Sequence, residues 1–178
     1  MARALLVIDV INPLRFDGGK RLLAHALPAA RAIARLSGRF RARGWPVVYV
    51  NDNFLQWTAD FKDLFNNCTR ANARGAPLAR LVPPVAGDYY ILKPEQSGFH
   101  STALHILLTQ LEVDHLVLTG IAGDGCVMAT AMDANMRKYR LTVPSDCIAC
   151  LTPARKKAAL LLLREALRAD VRSSVHFR

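Results

Sequence analysis

The stretch HLVLTGIAGDGC, residues 115–126, decides the fold because it passes from an apolar run through a glycine-rich turn into a helical pattern. Its first part, His115–Thr119, has the length and composition of a strand that is buried on both faces. The pattern that begins at Cys126 and extends to Tyr139 is long enough for a helix. The stretch therefore predicts a strand–turn–helix unit, the repeating element of parallel sheets.

The same alternation recurs on both sides of this unit. Further strands are predicted at Ala4–Val10, Val47–Asn51, Tyr89–Lys93 and Leu141–Pro144, with Val171–Phe177 as a sixth candidate. Helices are predicted at Pro28–Arg43, Ser101–Leu111 and Pro153–Ala169, and the aromatic residues of the irregular segment Asp52–Pro84 suggest a short helical excursion. Repeated alternation predicts a three-layer, Rossmann-like α/β fold with a parallel sheet of about six strands and helices on both faces. We expect one domain over residues 1–178.

Composition favours a soluble globular protein. Of the 178 residues, 52% are apolar, which supports a sizeable core and excludes a disordered chain. Four cysteines are too few for a disulfide scaffold in a chain of this length. The N-terminal apolar run is broken by Asp9 and ends without a cleavage site, and no run approaches the roughly 20 apolar residues of a membrane span. We expect a cytoplasmic protein with reduced thiols and no membrane partner.

The chain is basic, with 24 Lys and Arg against 14 Asp and Glu and a formal charge of +10. The basic residues are dispersed; Arg31, Arg35 and Arg39, for example, share one face of a predicted helix. No basic stripe interleaved with aromatic residues and no nucleic-acid motif accompanies them. We therefore expect no nucleic-acid partner and favour a small anionic substrate that is attracted by the positive field.

Chemically active side chains follow three predicted strands. Asp9 ends the first strand, Lys93 ends the third, and Cys126 begins the helix after the fourth. The carboxyl ends of parallel strands meet at one edge of a sheet, where ligands bind. Taken singly, Cys126 also fits a buried structural cysteine, Asp9 a turn residue, and Lys93 a solvated loop lysine. Their convergence favours an active site.

An acid, an ammonium and a thiol suit nucleophilic attack on a carbonyl carbon. A helix N-terminus and the nearby Lys93 are expected to lower the pKa of Cys126 and so favour the thiolate. Asp9 is expected to take the thiol proton and later return it to a leaving amine. The backbone amides of Ala122 and Cys126 are expected to face the developing oxyanion.

At these residues the sequence resembles the isochorismatase-like cysteine hydrolases, which include nicotinamidases and N-carbamoylsarcosine amidohydrolase. The matching segments follow the family's order over nearly the whole chain: Leu5–Val10, Val48–Asn53, Lys93-Pro94 with Ser97-Gly98-Phe99, Val117–Val127, and Ala129–Ala131 with Asp133. The resemblance implies a catalytic triad of Asp9, Lys93 and Cys126. It also implies a cis peptide bond between Ile121 and Ala122 that turns amides into the oxyanion hole, and a homodimer or larger assembly.

The sequence departs from the nicotinamidase pattern at one position. Nicotinamidases bind a metal through an Asp, a His two residues later and a further His, whereas here Asp52 is followed by Asn53 and Phe54. We therefore expect no catalytic metal and no cofactor, and nicotinamide becomes a less favoured substrate. The residues expected to bind the substrate are Asn51, Asp52, Trp57 and Ile121. The alternative for Asp52 and Trp57 is that they only pack, Trp57 on the sheet edge.

These observations predict a hydrolase that cleaves a small amide or carbamoyl C–N bond through a thioester on Cys126. Two alternatives stay open. One is vinyl ether hydrolysis of the isochorismate type, a branch in which the cysteine is not the nucleophile. The other is a small-molecule binding protein on the same scaffold, without catalysis.

Overall fold

Six parallel strands form one sheet in the computed structural model, which describes residues 2–177. The strands are β1 (Ala2–Ile8), β2 (Val47–Asp52), β3 (Tyr89–Lys93), β4 (Val113–Ile121), β5 (Arg140–Thr142) and β6 (Ile148–Ala149). Their order across the sheet is β3-β2-β1-β4-β5, and β6 pairs with the end of β4. The predicted α/β architecture is therefore confirmed.

Helices cover both faces of the sheet. They are α1 (Gly19–Ala42), α2 (Phe61–Thr69), α3 (Ala76–Leu81), α4 (Leu104–Gln110), α5 (Cys126–Met136) and α6 (Pro153–Glu165). Leu5 and Val7 of β1 pack in one core with α1, α2 and α3, whereas Leu6 and Ile8 pack in a second core with α4, α5 and α6. Because successive side chains of a strand point to opposite faces, one apolar run fills both cores. Within residues 2–177, no helix is long and apolar enough to cross a membrane.

The first helix begins well before its predicted start at Pro28. Pro28 lies inside α1, on its exposed face. A proline in a helix removes one backbone hydrogen bond, and water can satisfy the freed carbonyl oxygen on an exposed face. The buried face of α1 runs continuously from Leu22 through Ala26 to Ile33, so packing on the sheet outweighs the local effect of Pro28.

The prediction of a sixth strand at Val171–Phe177 is wrong. Residues 174–176 form a short 3-10 turn, and the sixth strand is β6. The Asp146 carboxylate holds this turn, because its oxygens accept hydrogen bonds from the Ser174 amide at 2.6 Å and the Ser174 hydroxyl at 2.7 Å. A distant side chain therefore satisfies backbone groups that a strand would have paired.

The irregular segment after β2 contains α2 and α3, in agreement with the predicted helical excursion. Asp60 begins α2 with a capping box, in which its carboxylate accepts a hydrogen bond from the Asp63 amide at 2.8 Å. Phe61 then stacks on Tyr90 of β3, with the ring centroids 5.0 Å apart. The stacked rings place the start of α2 beside β3.

Candidate active site

Three strands bring Asp9, Lys93 and Cys126 into one cluster. Asp9 directly follows β1, Lys93 is the last residue of β3, and Cys126 opens α5 after β4. The Lys93 Nζ atom lies 2.9 Å from Asp9 Oδ2 and 3.5 Å from Cys126 Sγ. Lys93 thus reaches from β3, past the intervening β2, to both of the other side chains.

Lys93 is fully buried, and its ammonium is nevertheless well satisfied. Besides Asp9 and Cys126, its Nζ donates a hydrogen bond to the Glu95 carbonyl oxygen at 3.0 Å, and Asp52 Oδ2 lies 3.9 Å away. Burial lowers the pKa of Lys93, but Asp9, Cys126 and Asp52 together outweigh it and leave that pKa raised. The amine therefore carries a positive charge at neutral pH.

Asp9 is 3% exposed, and its carboxylate has a different partner on each oxygen. Oδ2 pairs with Lys93, and Oδ1 accepts a hydrogen bond from the Asp52 amide at 2.7 Å. Burial raises the pKa of Asp9 above its ordinary value, against the opposing charge of Lys93 and a hydrogen bond with Cys126. A carboxylate with a raised pKa is well suited to accept a proton.

The pKa of the Cys126 thiol is raised to about 12, contrary to the expectation that the helix terminus and Lys93 lower it. Burial is the largest cause, and the negative charge and hydrogen bond of Asp9 act in the same direction. Lys93 opposes the rise but does not overcome it. At neutral pH Cys126 is therefore a neutral thiol that donates a hydrogen bond to Asp9.

The turn between β4 and α5 leaves two backbone amides free. The peptide bond between Ile121 and Ala122 is cis. Gly123 donates its amide hydrogen to the Ala149 carbonyl oxygen of β6, and Gly125 donates to that of Ala122. The amides of Ala122 and Cys126 have no acceptor among residues 2–177. These are the same two amides that the sequence predicts to form an oxyanion hole.

Gly120 is required at the end of β4 because the backbone there is too close to β1 for a side chain. Its φ of +121° is a conformation that side chains other than glycine rarely adopt, and an added Cβ would lie 1.9 Å from the Ile8 carbonyl oxygen. Gly120 thus lets the turn that contains Ala122 approach the end of β1, which Asp9 directly follows.

The four predicted substrate-binding residues are placed differently. Asn51 is fully buried, and its side-chain amide donates to the Ile11 carbonyl oxygen at 2.8 Å and accepts from the Ile11 amide at 3.2 Å, so it holds the loop after β1. Ile121 is 2% exposed and packs in the core with α1. Trp57 is 74% exposed on the loop after β2, so it does not pack on the sheet edge. Asp52 alone of the four combines partial exposure with proximity to Lys93.

Side-chain hydrogen bonds connect α5 to the loop after Lys93. The residues that form them were not among the predicted site residues. The Thr130 hydroxyl donates to the Cys126 carbonyl oxygen at 2.7 Å and accepts from the Gly98 amide at 3.0 Å. The Ser97 hydroxyl donates to the Asp133 carboxylate. Thr130 and Asp133 follow Cys126 by four and seven residues on α5. In a helix this spacing places all three residues on one face, so the sequence could have indicated their proximity.

The residues around Asp52 do not fit a metal site. One Asp52 oxygen accepts a hydrogen bond from the Phe54 amide at 2.6 Å, and the other faces the Lys93 ammonium. The neighbouring Asn53 uses its side-chain oxygen to accept from the Leu55 amide at 2.9 Å. In the described part of the chain, no three His, Cys, Asp or Glu side chains group as metal ligands.

Known proteins similar to this chain match it over most of its length. The family model of the isochorismatase domain matches residues 3–174. The isochorismatase family protein YaaI of Bacillus subtilis is 40% identical, over 95% of this chain and 92% of its own. A maleamate amidohydrolase of Pseudomonas putida is 38% identical, over 82% of this chain and 71% of its own. The crystal structure of N-carbamoylsarcosine amidase from Thermoplasma acidophilum has a TM-score of 0.70 and 28% identity, over 98% of this chain and 97% of that one.

Proposed function

Because the chain belongs to the isochorismatase family of hydrolytic enzymes, we propose that it cleaves the C–N bond of a small amide or carbamoyl compound with Cys126 as nucleophile. The observation that carries the proposal is the position of the Lys93 ammonium, 2.9 Å from Asp9 and 3.5 Å from Cys126. The names of two relatives, a maleamate amidohydrolase and an N-carbamoylsarcosine amidase, support the choice of bond.

In the first half of the reaction the thiol proton moves to Asp9 as the sulfur of Cys126 attacks the carbonyl carbon. The C–S bond forms and the carbonyl oxygen becomes an oxyanion. The free amides of Ala122 and Cys126 would donate hydrogen bonds to that oxygen. Asp9 then gives its proton to the nitrogen, the C–N bond breaks, and an amine or ammonia leaves a thioester on Cys126.

In the second half a water molecule attacks the thioester carbon. Asp9 accepts a proton from this water, the C–S bond breaks, and Asp9 returns the proton to the sulfur. The acid is released and Cys126 is again a thiol. Lys93 stays charged, because the neighbouring acidic groups outweigh the effect of burial and keep its pKa raised.

The test is a screen for ammonia release from small amides and carbamoyl compounds, with Cys126→Ala as the inactive variant. Cys147→Ala is the matched control, since Cys147 is a buried free cysteine in the short turn before β6, outside the cluster. We expect turnover by the wild type and the control and none by Cys126→Ala. Mass spectrometry of enzyme quenched with acid during turnover should show an acyl group on the peptide that contains Cys126.

Full activity in Cys126→Ala would exclude the thioester mechanism. If no amide is hydrolysed and an enol ether is hydrolysed equally by the wild type and Cys126→Ala, the vinyl ether alternative is the correct one.

A further inference from the structure

The turn that contains the amides of Ala122 and Cys126 is attached to neighbouring elements at two consecutive residues. At Gly123 the attachment is made by the backbone, whose amide donates to the Ala149 carbonyl oxygen of β6 at 2.8 Å. At Asp124, midway between the two oxyanion-hole amides, it is made by the side chain, which is only 17% exposed. A contact at this position affects the directions of both amides.

The Asp124 carboxylate forms an ion pair with Arg155, whose Nε atom donates a hydrogen bond to Asp124 Oδ2. Arg155 lies in the first turn of α6, where its own amide donates to the Thr152 hydroxyl at 3.2 Å. The helix is packed firmly, because Ala159 and Leu163 are buried in the core that α5 also enters. The ion pair therefore connects the middle of the turn to a fixed helix.

The Cys150 thiol contacts the same turn from the core. Cys150 is buried, and a Cβ added to Gly123 would lie 3.0 Å from the Cys150 Sγ atom, so the sulfur packs closely against the backbone of the turn. Burial raises the pKa of Cys150 to about 11, and the negative charge of Asp124 acts in the same direction. Cys150 is therefore a neutral thiol, and within residues 2–177 Arg155 is the cation that pairs with Asp124.

We propose that the ion pair of Asp124 and Arg155 positions the oxyanion hole. It keeps the turn where the amides of Ala122 and Cys126 can both reach the carbonyl oxygen of the substrate. This role rests on the proposed function, in which Cys126 attacks a carbonyl carbon. Because oxyanion donors act at about 2.7–3.1 Å, a small displacement of the turn slows acylation.

The test compares two reactions of Cys126 that differ in their need for an oxyanion hole. In acetylation by p-nitrophenyl acetate, the sulfur attacks the ester carbonyl carbon and the thiol proton passes to Asp9. The oxyanion that forms then expels p-nitrophenolate as the C–O bond breaks, which leaves a thioester. In alkylation by iodoacetamide, the sulfur displaces iodide and no oxyanion forms. Peptide mass spectrometry after acid quenching measures both modifications of Cys126.

Asp124→Asn and Arg155→Gln should each slow acetylation by about tenfold or more, since a misplacement of about 1 Å can cost about 100-fold. Alkylation should stay within about twofold of the wild-type rate, because the charged groups that shift the pKa of Cys126 are Asp9 and Lys93. Arg155 is half-exposed, and such an ion pair contributes little to folding stability, so both variants should fold.

The controls separate the ion pair from a general loss of charge. The double variant should acetylate no more slowly than the slower single variant, because both substitutions remove the same contact. Arg155→Lys, which keeps the positive charge, should be slowed less than Arg155→Gln. Arg164→Gln is the matched control and should acetylate at the wild-type rate, since Arg164 is an arginine of α6 that pairs with Glu165 instead.

Wild-type acetylation in either single variant, equal slowing of acetylation and alkylation, or equal slowing in Arg164→Gln would each overturn the positioning role. Acetylation requires no amide substrate, so it separates this role from the proposed function. If the variants slow acetylation as expected and the wild type hydrolyses no amide or carbamoyl compound, the proposed function alone is overturned. If the wild type and Asp124→Asn hydrolyse an amide equally fast, the positioning role alone is overturned.

Discussion

Asp9→Asn should make the Cys126 thiol more reactive and the enzyme less active. The substitution keeps the shape of the side chain and removes its negative charge. In the structure, that charge and the hydrogen bond of Asp9 both raise the pKa of Cys126, whereas Lys93 lowers it. Without the negative charge of Asp9, the Lys93 ammonium still lowers the pKa of Cys126, and Asp9 no longer counteracts it.

The size of the effect follows from the charges. A unit charge about 4 Å away contributes about 4 kcal/mol at an effective dielectric constant of 20, which corresponds to at most about three pKa units. A fall of about two units from the present value of about 12 would raise the thiolate fraction at pH 8 about 100-fold. Because a less basic thiolate is about tenfold less nucleophilic over that range, alkylation should be about tenfold faster.

The assay is alkylation by iodoacetamide at pH 8, followed for each cysteine by peptide mass spectrometry. Cys68 is the internal control, since the named influences on its pKa are burial and Arg15, so its rate should not change. Amide hydrolysis should fall by about 100-fold or more in the same variant, because the proton acceptor is gone. Slower or unchanged alkylation of Cys126 in Asp9→Asn would refute this account of the cluster.

The other predictions concern stability and can be checked by urea unfolding. Thr130→Val should lose about 1–3 kcal/mol, because the buried Gly98 amide loses its acceptor, whereas Thr130→Ser should lose less; equal losses would contradict this role of the hydroxyl. Gly120→Ala should be strongly destabilising, whereas Gly38→Ala should stabilise by about 0.5–1 kcal/mol, since its Cβ meets nothing within 4 Å on α1. Burial, and to a smaller extent nearby arginines, lower the pKa of His115 to about 4 in the folded protein. As the pH falls, His115 therefore takes up a proton in the unfolded chain before it does so in the folded one. Stability should therefore decrease by about 1–2 kcal/mol between pH 7 and pH 5, and His115→Gln should flatten that decrease.

The sheet and the cluster could be predicted from the sequence because both follow from strand ends. Apolar runs buried on two faces indicate parallel strands, and parallel strands place their carboxyl ends at one edge. Asp9, Lys93 and Cys126 are each within one residue of such an end or of the helix that follows it. The proximity of these three residues can therefore be predicted without knowing how the loops fold.

The remaining site residues depend on loop geometry, which the sequence does not encode locally. Asn51 ends a strand like Lys93, but its side chain faces the loop after β1 and bonds Ile11 there. The pair Ile148–Ala149 is too short to show a strand pattern, and it pairs only because the end of β4 is available.

The direction of the Cys126 pKa shift was also beyond sequence reasoning, and its physical origin bears on the reaction. Within residues 2–177, Lys93 is the one cation in contact with both Asp9 and Cys126, so two anions there would leave a net negative charge in a buried site. Moving the thiol proton to Asp9 keeps the charge of the cluster constant. The negative charge then passes from sulfur to the substrate oxygen, beside the free amides of Ala122 and Cys126. A raised thiol pKa is therefore compatible with catalysis when the proton acceptor lies inside the same buried cluster.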